Sequence, residues 1–328
     1  MTRRRPLLAV LPALLLLAAS AATAQIATTP TPAPIYRLAP ESAFEEGCFD
    51  PCMCPVHFSA GLIGTMQLVP AAPDAGFAVY EVRDVNWFVP GLEYWVTGSG
   101  TYRVGGQPLM QRLELDLLVG DRGVEHYDSG LVLAGGWPGP ITVTITMNNM
   151  VCHDTVFHLV ARPIVMQELA PYALYRSSYS EGCFGPCDCL TIAQPLIGRF
   201  GLLKLAAGET GADFAVLNFR GTVRDPAAAA IDDGWPVEGV GIYRVGAPAG
   251  DERLRLALRE DGRGPTRFDS GAVPGDGDPR RIDIDVAENG FACYDRVYSI
   301  HARRRPPAVM TFQMIAPDPA PRAVAPAP

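Results

Sequence analysis

The chain has 328 residues, 48% of them hydrophobic, with 33 glycines, 31 prolines, eight cysteines and a formal net charge of −8. That length suits about two ordinary domains, and the acidic balance repels phosphate backbones, which excludes nucleic acid as a natural partner. Beyond the N-terminus no segment is apolar for the roughly 20 residues that a spanning helix needs.

Residues 1–24 read as a secretory signal peptide. Arg3, Arg4 and Arg5 precede an apolar run from Leu7 to Ala19, and Ala22-Thr23-Ala24 forms a small-x-small cleavage site. Cleavage predicts a secreted or periplasmic protein with no membrane span. It also takes the 27 basic residues to 24 against 35 acidic ones, a net charge near −11. Residues 25–35 form a Pro/Thr-rich linker.

Two homologous units follow. "EGCFDPCMC" at Glu46–Cys54 returns as "EGCFGPCDC" at Glu181–Cys189. Tyr102-Arg103-Val104-Gly105 returns as Tyr243-Arg244-Val245-Gly246, and Leu113, Leu115 and Leu117 as Leu254, Leu256 and Leu258. Asp128-Ser129-Gly130 returns as Asp269-Ser270-Gly271, and Cys152 with Asp154 as Cys293 with Asp295. The units span 36–162 and 172–305, joined by a short linker at 163–171 whose Pro163 and Pro171 limit interdomain motion. A Pro/Ala-rich tail occupies 306–328.

Within each unit the hydrophobic period is two. "RLELDLLV" sets Leu113, Leu115 and Leu117 on one face and Arg112, Glu114 and Asp116 on the other; "ITVTITM" does the same with Ile141, Val143, Ile145 and Met147. Such alternation marks half-buried strands. Helical periodicity is nearly absent, with "DPAAAAIDDG" as one candidate turn of helix. The expected fold is all-β: two tandem antiparallel β-sandwich domains of six to seven strands each, with a small closed barrel as the alternative architecture. An outer-membrane barrel fits poorly, because the faces opposite the apolar residues carry Arg, Asp and Glu.

Each unit holds four cysteines, three in C-x3-C-x-C and one about a hundred residues later. In an exported chain this reads as disulfides within each unit, engaging Cys48, Cys52, Cys54, Cys152, Cys183, Cys187, Cys189 and Cys293. Pro51 favours a turn joining Cys48 to Cys52, with Cys54 bonded to Cys152; the rival pairing is Cys48–Cys54 with Cys52–Cys152. A zinc reading fails on spacing, since C-x3-C-x-C is not the usual C-x2-C knuckle, and on His153, which Tyr294 replaces in the second copy. No metal or cofactor is expected.

Catalytic motifs are absent: there is no G-x-S-x-G, H-E-x-x-H, P-loop or dinucleotide fingerprint. None of the five histidines recurs in both copies. No catalytic residue is assigned, and the reading leans away from an enzyme. The candidate ligand-binding residues are Trp87 and Trp95 in "NWFVPGLEYW", Trp137 in "GGWPG", and Asp128 and Asp269. The tryptophans offer flat faces for a sugar, or core filling instead; the aspartates offer carboxylates to a ligand or calcium, or turn closure instead. Asp154 and Asp295 are expected on solvent-exposed loops, and Arg103 and Arg244 on outward strand faces. Together these features predict an exported, non-catalytic binding or structural module, made bivalent by its duplication, with a glycan or protein ligand at the envelope or outside it. A secreted hydrolase and a carbohydrate-binding protein are the alternatives.

Overall fold

The computed structural model describes residues 33–306 apart from 53, 188, 209–210, 225–233 and 247–249. The signal peptide, nearly all of the Pro/Thr linker, the candidate helical turn "DPAAAAIDDG" (all but its final glycine) and the tail beyond Pro306 lie outside the described residues. The remainder is nearly all β, in two antiparallel sheets.

In the first repeat the strands are β1 (Ile35–Leu38), β2 (Ala43–Cys48), β3 (His57–Gly61), β4 (Ile63–Pro70), β5 (Phe77–Val89), β6 (Tyr94–Gly105), β7 (Met110–Val119), β8 (Val124–Asp128), β9 (Val132–Leu133), β10 (Ile141–Thr146) and β11 (His153–Pro163). In the second they are β12 (Leu169–Leu174), β13 (Ser177–Phe184), β14 (Ile192–Gly208), β15 (Gly211–Arg224), β16 (Gly234–Gly246), β17 (Asp251–Glu260), β18 (Thr266–Asp269), β19 (Val273–Pro274), β20 (Arg281–Ala287) and β21 (Cys293–Arg304). The sheets of eleven and ten strands exceed the six to seven that periodicity predicts. The surplus comes from short strands such as β1 and β9, which are too brief to show a period.

The first sheet runs β1-β4-β5-β6-β7-β8-β10-β11, and β11 also pairs with β1, so the ladder closes on itself. Between β8 and β10 a single pair, Thr146 with Asp128, completes the circuit. The second sheet repeats this plan, with Asp269 opposite Ala287 at the same seam. Closure leaves few free strand edges.

The predicted alternation holds at its centre. Leu113, Leu115 and Leu117 are fully buried, as are Ile145 and Phe157, and Leu254, Leu256 and Leu258 fill the second core. Met147 departs from its face: β10 ends at Thr146 and Met147 is 36% exposed. The recurring tyrosines turn inward. Tyr102 and Tyr243 are buried and donate their hydroxyls to Gln111 (2.9 Å) and Glu252 (2.8 Å), which satisfies the phenols inside the core.

A third apolar cluster joins the repeats. Ile35, Phe88 and Trp95 pack with Leu203, Leu217, Ile242 and Ala257. The second repeat contributes residues from the outer face of its sheet, the face that reads as solvated in the first repeat. Thr101 and Asp116 there match Ile242 and Ala257. Arg244 faces outward from its own strand but lies over the Phe88 ring of the first repeat, 4.6 Å from its centroid. Arg267 is enclosed in the same contact. It donates to the carbonyls of Gly120, Trp95 and Leu118 and to Thr97 Oγ1, and burial lowers its pKa to about 10.

Candidate functional site

The eight cysteines form four disulfides, Cys48–Cys54, Cys52–Cys152, Cys183–Cys189 and Cys187–Cys293. The pairing that Pro51 favours, Cys48 with Cys52, is therefore not the one adopted. The reason is the turn at Phe49–Cys52, closed by the Cys52 N–H on the Phe49 carbonyl at 3.1 Å. It brings Cys54 back to 5.6 Å from Cys48 between Cα atoms, and leaves Cys52 4.7 Å from Cys152. Gly47 and Gly182 explain why "EGC" recurs. At φ +152° and +147° they lie where a side chain is strained, and a Cβ would strike the backbone of Val56 and Leu190 respectively.

Asp154 and Asp295 are buried, not exposed as their loop position predicts. Asp154 accepts backbone N–H groups from Met147, Asn148, Met150 and Thr155 at 2.7–3.1 Å. Asp295 accepts those of Asn289, Phe291 and Arg296 at 2.7–2.9 Å. The loops can converge their amides because Asn149, Met150 and Cys152, like Gly290, Phe291 and Cys293, adopt positive φ. Carboxylate and disulfide together hold this unfavourable backbone.

The predicted ligand residues are not brought together. Trp87 is fully buried in the first core, 5.5 Å from Phe157 between ring centroids. Trp95 is 5% exposed in the contact between repeats, beneath the Arg267 guanidinium at 4.9 Å. Trp137 is half-buried against Tyr36, Tyr80 and Tyr102. None offers the open face that stacking on a sugar needs; their bulk fills space inside and between the units. Asp128 and Asp269 close turns. Each accepts the N–H of the glycine two residues on, at 2.8 Å, and a bidentate pair from Arg112 or Arg253. Gly130 and Gly271 supply φ of +61° and +64°. Among the described residues no group of three or more His, Cys, Asp or Glu could hold a metal ion.

A different place has the form of a site. A cleft of about 450 Å³ opens beside the disulfides of the second repeat. Its lining combines aromatic rings (Tyr179, Trp235, Tyr294), carboxylates (Glu181, Glu260, Asp261, Glu288 and the amide-bound Asp295) and the guanidiniums of Arg263 and Arg296. Glu260 is 7% exposed and fully engaged, accepting from Arg296 and from the Tyr298 hydroxyl. Arg296 also bonds Glu288 at 2.7 Å, so this part of the cleft is charge-balanced. Glu181 differs. Its partners are two neutral hydroxyls, Tyr294 at 2.6 Å and Tyr179 at 2.9 Å. The Tyr294 hydroxyl holds the Glu181 carboxyl below its ordinary range, partial burial opposes this, and Tyr179 and the charges of Arg296 and Arg263 add to it. Glu181 is thus a fixed anion with both oxygens oriented. Trp235 stands beside it, edge-on to Tyr179 at 5.6 Å.

The first repeat fills the matching place from within. Glu46 corresponds to Glu181, Tyr94 to Trp235 and Arg122 to Arg263. Arg122 Nη2 donates to Glu46 at 2.7 Å, and its guanidinium lies 5.2 Å above the Tyr94 ring. Sequence reading passes over this trio, although a Glu, an aromatic and an Arg recur in both copies within or beside quoted segments. That recurrence is the signal that could have found it. Comparison with family models, curated proteins and solved structures finds no match to the chain.

Proposed function

We propose that the chain is an exported, non-catalytic binding module whose ligand occupies the cleft of the second repeat. The observation that carries this reading is the asymmetry between the copies: one Glu–aromatic pair is covered by Arg122, the other faces an open cleft. Export is supported by four disulfides, which persist in oxidising compartments. The two copies then act as one open site on a shared scaffold instead of a bivalent pair. Catalysis is disfavoured because the Glu181 carboxyl is held below its ordinary range, away from the poise of a proton shuttle near neutral pH, and Glu260 is taken up by Arg296 and Tyr298.

A ligand screen on the intact exported chain tests the reading, with glycans, peptides and small polar molecules read by thermal shift. Hits should lose their effect in Trp235→Ala and keep it in an exposed control such as Val124→Ala. Turnover of a hit, or hits indifferent to Trp235→Ala, would overturn it.

A further inference from the structure

Resting on that reading of the cleft, we infer that its ligand presents a guanidinium group, seated between Glu181 and Trp235 as Arg122 is seated between Glu46 and Tyr94. The first repeat is an internal complex of the same cradle. A planar cation there meets a carboxylate on one side, at 2.7 Å, and an aromatic face on the other, at 5.2 Å from the ring centroid. Both interactions select a guanidinium: the carboxylate takes its N–H fork and the ring takes its flat, weakly hydrated face.

The second repeat keeps this chemistry and strengthens it. Tyr94 becomes Trp235, the better cation–π surface. Phe44 and His153 become Tyr179 and Tyr294, whose hydroxyls orient both oxygens of Glu181 without neutralising its charge. What is missing is a cation seated on them, although the charges of Arg263 and Arg296 reach Glu181 and help to lower its pKa. Arg263, at the position of Arg122, is exposed and forms no salt bridge among the described residues. The remaining charges suit a cationic guest, since five carboxylates line the cleft with two guanidiniums; Asp295 is engaged by backbone N–H groups, and Arg296 is already engaged with Glu260 and Glu288. An anionic ligand would meet, at the cleft's aromatic wall, a carboxylate that no guanidinium bonds directly among the described residues. A neutral sugar could use Trp235 but would leave the Glu181 charge unmatched.

The test is calorimetric titration of the intact chain with acetyl-Gly-Arg-Gly-amide, with the same peptide carrying citrulline for arginine, and with free agmatine. Citrulline keeps the shape and removes the charge. The arginine peptide should bind at least about tenfold more tightly than its citrulline twin, the scale of one charge-assisted hydrogen bond, and should weaken as salt is added. Glu181→Gln should remove that preference. Tyr294→Phe, which keeps the carboxylate but loses one orienting hydroxyl, should reduce it and serves if Glu181→Gln does not fold. Agmatine binding as well as the peptide assigns recognition to the guanidinium alone; peptide binding without agmatine assigns it to an arginine within a chain, and either outcome supports the inference. Equal binding of the arginine and citrulline peptides would overturn it. So would a sugar hit that depends on Trp235 while no guanidinium binds, although the cleft itself would then stand as a site. Ligand responses that are all indifferent to Trp235→Ala would sink both.

Discussion

Asn86 bonds across the two repeats to Gly241. Its Nδ2 donates to the Gly241 carbonyl at 2.7 Å, and its Oδ1 accepts the indole N–H of Trp95 at 2.9 Å. Asn86 is fully buried, so the water that would replace these partners is excluded. Asn86→Ala leaves a carbonyl and an indole N–H unpaired, and each orphan costs about 1–3 kcal/mol. The urea midpoint of the full chain should fall accordingly. An unchanged midpoint would mean that the repeats are not held together here.

The disulfides divide into long and short loops. Cys52–Cys152 and Cys187–Cys293 close separations of 100 and 106 residues, whereas Cys48–Cys54 and Cys183–Cys189 close six. On loop entropy the long bonds contribute about 4–5 kcal/mol and the short ones about 2 kcal/mol. Replacing Cys52 and Cys152 by alanine should therefore destabilise the chain about twice as much as replacing Cys48 and Cys54. Peptide mapping without reductant should recover Cys52 linked to Cys152; recovery of Cys54 with Cys152 would contradict the structure.

Asp154 organises a loop that its own sequence would not hold. Asp154→Asn keeps one acceptor oxygen and Asp154→Ala keeps none, while four backbone N–H groups stay in place. The alanine variant should lose about 3 kcal/mol and the asparagine variant less, measured by chemical denaturation. Asp295→Ala should behave likewise in the second repeat. Equal stability of either alanine variant and the parent would show that the disulfides alone fix these loops.

Acid stability follows from the two Asp-Ser-Gly turns. The Arg112 hydrogen bond lowers the pKa of Asp128. Burial opposes the fall at Asp269, yet Arg253 and the Gly271 N–H lower it too. A folded pKa below the unfolded value means stability that is full above about pH 4 and lost as pH falls through the folded value. The double variant Asp128→Asn/Asp269→Asn should be less stable at neutral pH, and should lose less stability than the parent between about pH 5 and 2. Parallel acid profiles would show that other carboxylates dominate.

How much of this was legible depends on what a periodic pattern reports. Alternation at Leu113, Leu115 and Leu117 says which residues face inward, and the structure agrees. It cannot say whether the opposite face meets water or a second sheet. That information sits in the difference between copies, where Thr101 and Asp116 become Ile242 and Ala257. Trp87 and Trp95 stand out as aromatics without revealing which side of the sheet they take; Trp87 lies in the first core and Trp95 on the opposite side, in the contact between repeats. Asp154 reads as a loop residue because burial requires converging amides that only the folded, left-handed turn provides. The cleft eluded sequence reading for a related reason. Glu181, Trp235 and Arg263 lie in three separate segments, and only the closed sheet brings them to one end.

Arg122 occupies in the first repeat the cradle that is open in the second. The most direct measurement is the stoichiometry of acetyl-Gly-Arg-Gly-amide binding to the intact chain and to Arg122→Ala, by calorimetry. One site is expected in the parent and two in the variant, because removing Arg122 exposes Glu46 and Tyr94 to the ligand. One site in both chains, or no site in either, would contradict this.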